Sequence, residues 1–268
     1  RDDCWLISAL DNLMDLPSGR AKLYQLFEQN GNEITVKIPH TEEIYDSVFV
    51  KNDKGEDEIQ LSTTPRYETH TYSVTFDLND KISYKHNAHI SGCQGLQMVE
   101  AAYAFAKAEG PTKELYAQDV LGLLDDDNQM QVLEGGWAEL FFNDIMGYRM
   151  DDNHTAYDSD GNIVGELRKI TNSDDLSYVM DLLENVGNDD NVLCYFGTKH
   201  IDNSKSQREK TLSSDYDLYS NHGYTIKGYD SERGLVYFTN PWNTNCIVEM
   251  DIYNFIEYID NIRYTRLS

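Results

Sequence analysis

Cys4, His222 and Asn240 are side chains of the types that acyl transfer by a thiol requires. Thiolate attack on a carbonyl needs a thiol with a lowered pKa, a proton carrier within hydrogen-bond reach, and a group that fixes the carrier's tautomer. Cys4 falls at or near the first turn of an expected helix, where the helix dipole favours the anion. His222 heads the strand-like run Gly223 to Tyr229, and Asn240 opens Asn240-Pro241-Trp242 just after a second such run. Taken singly, each residue has an ordinary structural reading: a core cysteine, a strand-end histidine bonded to backbone, and a turn residue before proline. Their joint presence points to nucleophilic catalysis.

The elements that must position these residues are legible from periodicity. Leu6, Ala9, Leu10 and Leu13 recur at helical spacing, with Asp2 and Asp3 at the N-terminal end, and predict the helix that carries Cys4. Glu33 to Ile38 and Thr71 to Leu78 alternate as strands, with Asn52 to Glu58 as a polar insert between them. Leu96 to Lys107 predicts a buried helix ended by Gly110-Pro111, and further helices are expected over Glu114 to Leu124, Trp137 to Ile145 and Leu176 to Glu184. Val192 to Phe196, Tyr224 to Tyr229, Leu235 to Phe238 and Ile247 to Met250 read as strands, and residues 202–217 as a long exposed loop. The expectation is an α+β chain with a helix-rich first lobe and a β-rich second lobe.

Composition narrows the function classes. The 22 basic and 47 acidic residues give a formal charge of −25, which repels phosphate backbones and anionic membranes, so nucleic acid is not an expected partner. No apolar run approaches the length of a membrane span. Four cysteines are too few for a disulfide scaffold in 268 residues, and the redox compartment stays open.

Three blocks, Asp3-Cys4-Trp5, Asn221-His222-Gly223-Tyr224 and Asn240-Pro241-Trp242, resemble the catalytic blocks of calpains and stand in the same order. Between them, Glu100-Ala101-Ala102-Tyr103-Ala104 is similar to the calpain helix with Glu-Lys-Ala-Tyr-Ala-Lys. Leu133-Glu134-Gly135-Gly136, followed by Phe142 and Gly147, is similar to its Leu-Ser-Gly-Gly segment. The resemblance implies a papain-like core of two subdomains, residues 1–147 carrying the nucleophile and 148–268 carrying the histidine and asparagine, with a cleft between them. It implies that Cys4 attacks the scissile carbonyl, that His222 takes and returns the proton, that Asn240 orients His222, and that Trp242, with Trp5 beside the nucleophile, shields the site. The oxyanion would be held by the Cys4 backbone N–H and by a family glutamine expected upstream of Arg1, supplied by an upstream segment or a separately cleaved chain. Departures are Asp2 and Asn243 where calpains have Gly, and Gly95 where they have Trp; none removes a catalytic atom.

Calpains are calcium-activated, but the stretch Ile90-Ser91-Gly92-Cys93-Gln94 lacks carboxylates. An EF-hand at Asp158-Ser159-Asp160-Gly161 fails because its first and twelfth positions would be Ala156 and Leu167. No metal or other cofactor is expected to be required; calcium stays open through the family resemblance alone, without support from the residues before the Ala-Tyr-Ala helix. The expected activity is endoproteolysis of protein or peptide substrates, with a cytoplasmic location as the family default and secretion left open. The alternatives are an inactive homologue that binds proteins and a cysteine-dependent acyl transferase; transglutaminases use Asp as the third residue, so Asn240 argues against the latter.

Overall fold

The computed structural model describes residues 4–79, 93–109, 114–116, 136–186, 188–200, 216 and 218–267. Helix α1 (Cys4–Asp15) ends because Leu16 precedes Pro17, whose ring disfavours the helical conformation in the residue before it; Pro17 itself opens α2 (Pro17–Gln25). Strands β1 (Phe27–Asn30), β2 (Glu33–Ile44) and β5 (Arg66–Asp77) form an antiparallel sheet that β6 (Glu114–Tyr116) joins in parallel on the far side of β5. A separate hairpin of β3 (Ser47–Lys51) and β4 (Asp57–Leu61) stands between β2 and β5 in the chain. Helices α3 (Gln94–Glu109) and α4 (Ala138–Met146) pack on β2. Asp144 of α4 ties these elements together, receiving the Tyr103 hydroxyl of α3 at 2.7 Å and lying 2.5 Å from His40 Nδ1 of β2.

The second half builds one sheet of eight strands in the order β13-β12-β11-β10-β14-β9-β8-β7, all of whose pairs are antiparallel. Its members are β7 (Arg149–Met150), β8 (Ala156–Tyr157), β9 (Ile163–Lys169), β10 (Val192–Thr198), β11 (Gly223–Asp230), β12 (Leu235–Asn240), β13 (Asn243–Asp251) and β14 (Ile259–Arg266). Helices α5 (Leu176–Val186) and α6 (Ile252–Tyr258) pack beside it, their apolar residues joining those of β10, β11 and β12 in one core cluster. A second cluster gathers α1, α2, β2, β5, α3 and α4, and also takes in Leu193 and Tyr195 of β10. Among the described residues, no helix is long and apolar enough to cross a membrane.

The expected fold is corrected here. The architecture is strand-rich, 42% strand against 30% helix, and is dominated by the eight-stranded antiparallel sheet, so it does not present the papain-like pairing of a helix-rich lobe with a β-rich lobe. The cause lies in the first 147 residues. The two short alternating runs read from sequence extend into twelve-residue strands paired along their whole length from Glu33↔Asp77 to Ile44↔Arg66. The polar insert becomes the turn of a hairpin, and Glu114–Tyr116 is a strand where a helix was expected. Residues 117–124, Leu133 to Gly135, Ile90 to Gly92 and nearly all of 202–217 lie outside the described residues, as do Asp2 and Asp3.

Candidate active site

Cys4 is the first residue of α1, partly buried, and the backbone N–H groups of a helix's first turn point outward along its axis. It lines a cleft of about 670 Å³ together with His222, Trp242 and Trp5. Beside it, a Cβ on Gly136 would stand 2.4 Å from the Trp5 ring, so only glycine lets the start of α4 approach that indole.

His222 is delivered by a tight turn. Asn221 has φ 51°, in the left-handed region that asparagine tolerates better than most residues. Immediately before β11, His222 N–H donates to Thr198 Oγ1 at 3.0 Å and Thr198 N–H donates to His222 O at 3.0 Å. Asn240 ends β12 on the far side of β11, and Pro241-Trp242 is the two-residue connection to β13. This places His222 Nε2 3.0 Å from Asn240 Oδ1, with both residues buried at 5% and 2% exposure.

The direction of that bond follows from a second contact. Trp242 N–H donates to the same Asn240 oxygen at 3.0 Å, and a backbone N–H can only donate, so the atom facing it is the carbonyl oxygen. That oxygen in turn needs a donor from the ring, so Nε2 carries the proton and Nδ1 of the neutral imidazole is left as the basic nitrogen. Around the ring stand Trp242 (centroids 4.2 Å apart), Tyr224 (4.9 Å) and Tyr219 (5.9 Å).

A polar stripe on α1, not anticipated from sequence, clamps the cysteine helix to the strands of the histidine and asparagine. Asp11 Oδ2 accepts from Lys227 Nζ of β11 at 2.8 Å and from Thr239 Oγ1 of β12 at 2.7 Å. Lys227 also pairs with Asp15, whose carboxyl burial pushes above its ordinary value even though the Lys227 ammonium pulls the other way. Thr225 Oγ1 donates to Ser8 O at 3.0 Å, and Asn12 Nδ2 to Cys194 O at 3.0 Å. The signal was present: Ser8, Asp11, Asn12 and Asp15 recur at helical spacing on a face of their own.

Also lining the cleft, Arg263 of β14 is buried against Glu139 at 2.6 Å and lies 4.0 Å over the Trp137 ring. Burial pushes the Glu139 carboxyl up, but bonds from His154 and Arg263 outweigh it and hold it below the ordinary value. Of the remaining thiols, Cys194 is buried and pushed up to about 12, while Cys93 and Cys246 are exposed.

Among the described residues, no three His, Cys, Asp or Glu side chains converge as a metal shell. The Asp158 turn uses its carboxylate on its own chain, accepting from Asp160 N–H, Asn162 N–H and Asn162 Nδ2 at 2.8–2.9 Å. No protein-family model matches the chain, and no curated protein matches it.

Proposed function

We propose that this protein is a cysteine endopeptidase in which Cys4 is the nucleophile, His222 the base and acid, and Asn240 the residue that orients His222. The observation that carries the reading is the buried His222–Asn240 bond opening onto the same cleft as a cysteine at a helix N-terminus. The resemblance of the three blocks to calpains supports the same assignment.

His222 Nδ1 takes the Cys4 thiol proton as the sulfur adds to the scissile carbonyl carbon, and the carbonyl π pair moves onto oxygen next to the Cys4 backbone N–H. Collapse of the tetrahedral adduct expels the amine, which takes its proton from His222 and leaves a thioester on Cys4. His222 then removes a proton from water, the hydroxide adds to the thioester, and the C–S bond breaks to release the acid while His222 returns the proton to the Cys4 sulfur. Trp242 keeps the imidazole desolvated, so that its bond to Asn240 is not exchanged for one to water.

The test is casein hydrolysis together with iodoacetamide labelling mapped by mass spectrometry. Cys4→Ala and His222→Ala each lower turnover by ~10³-fold or more, because the residues act as a unit. Cys4 alkylates faster than the exposed Cys93 and Cys246, and Cys194 does not react. Unchanged casein cleavage by Cys4→Ala would refute the assignment. A wild-type protein whose Cys4 labels no faster than Cys93 points to a binding module.

A further inference from the structure

We infer that Asp260 is the acidic floor of a substrate subsite that takes a lysine or arginine side chain of a peptide, an inference that rests on the peptidase reading for its link to catalysis. Gly197 pairs with Asn261 but the next residue of β10, Thr198, pairs with Ile259, so Asp260 is the extra residue of a β-bulge. Bulges re-aim side chains at the edges of sites, and Asp260 lines the same cleft as Cys4 and His222.

The carboxylate is held by buried neighbours that do not neutralise it. Asn261 Nδ2 donates to Asp260 Oδ2 at 3.0 Å, and Asn261 Oδ1 accepts from Arg263 Nε at 2.8 Å. Both Asn261 and Arg263 are 4% exposed, and the Asn261 amide is locked between Asp260 and Arg263. The Arg263 charge is answered by Glu139 and not by Asp260. Lys199, one residue beyond the bulge, turns its ammonium to Glu257 O at 3.3 Å. Among the described residues that line the cleft, Asp260 is therefore a negative charge with an amide for a partner and no cation.

The cleft that Asp260 lines, about 670 Å³, has room for a long side chain. A Cβ on Gly197 would come within 2.9 Å of Asn261 Nδ2, so glycine at that position leaves the Asn261 amide its place beside the carboxylate. Strand β10 lies between β11 and β14, so the Asp260 backbone is about 10 Å from that of His222 at ordinary strand spacing. An extended peptide rises ~3.3 Å per residue, which puts the basic side chain two or three residues from the scissile bond.

Binding is measured without turnover, on Cys4→Ala protein, by fluorescence anisotropy of a short neutral peptide in which one lysine is stepped along the positions against norleucine. At one position lysine binds about tenfold tighter or better, as a desolvated charge-assisted bond provides. In an Asp260→Asn background, which keeps the size and the Asn261 contact, that ratio falls toward one. Asp260→Lys shifts preference to a glutamate peptide, a gain that misfolding cannot mimic. General attraction by the net charge of −25 would survive removal of a single carboxylate, so a ratio unchanged in Asp260→Asn overturns the subsite. So does the failure of every peptide to bind. The same peptides, internally quenched, are then given to the wild-type protein. Lysine preference in binding without cleavage of any peptide keeps the subsite and removes the peptidase reading; cleavage without lysine preference does the reverse.

Discussion

At the residue scale, the tautomer of His222 is set from two positions beyond Asn240. The Trp242 N–H orients the Asn240 amide, the amide oxygen accepts from Nε2–H, and Nδ1 is thereby left as the basic nitrogen of the ring. Asn240→Ala deletes the acceptor but leaves the aromatic packing of Trp242, Tyr219 and Tyr224 to hold the ring. An unmade buried hydrogen bond costs ~1–3 kcal/mol, so kcat/KM for casein falls about 10–100-fold, less than for the Cys4 or His222 variants. A loss as large as that of His222→Ala would give Asn240 more than an orienting role, and no loss would give it none.

At the element scale, α1 serves two cores at once. Its apolar face, with Leu6, Leu10 and Leu13, is buried in the cluster of β2, β5 and α3, and its polar face is bonded to β10, β11 and β12. The position of Cys4 relative to His222 is thus a matter of helix docking. Asp11→Ala removes the acceptor shared by Lys227 and Thr239 and leaves Lys227 with Asp15 alone. The expected cost is ~1–3 kcal/mol, read as a lower Tm, with a slower alkylation of Cys4 while Cys93 reacts as before. Asp11→Asn, which retains an oxygen for Thr239, recovers part of both. A Tm change with the Cys4 rate untouched would mean that the clamp holds the fold together but does not place the thiol.

At the scale of the whole molecule, Glu139 on α4 ties that helix to the eight-stranded sheet by bonding Arg263 of β14 and Tyr195 of β10, and it also bonds His154. Its carboxyl titrates below the ordinary 4.5 in the folded protein, so it contributes stability at neutral pH that is lost as pH falls below that value toward the folded one. Tm measured against pH should drop in that acidic window, and Glu139→Gln, starting from a lower Tm, should show a shallower drop. Equal slopes would place the acid sensitivity elsewhere. Sequence by itself determined the elements whose periodicity is local: the cysteine helix, the helix over Leu176 to Glu184, and the four strands from Val192 to Met250, together with the residue types that acyl transfer needs. It did not determine the length of β2 and β5, because the continuation of each past its short alternating run is stabilised by the other strand, from Pro39↔Thr71 to Ile44↔Arg66, and not by its own pattern. Nor could it show that Glu114–Tyr116 is a strand, since three residues take that form only when β5 offers a free edge. The tertiary structure alone decided that Asp11 reaches Thr239, that Asp260 falls on a bulge, and that Arg263 is spent on Glu139, because each depends on the register of strands distant in sequence, where a shift of one residue turns a side chain to the other face.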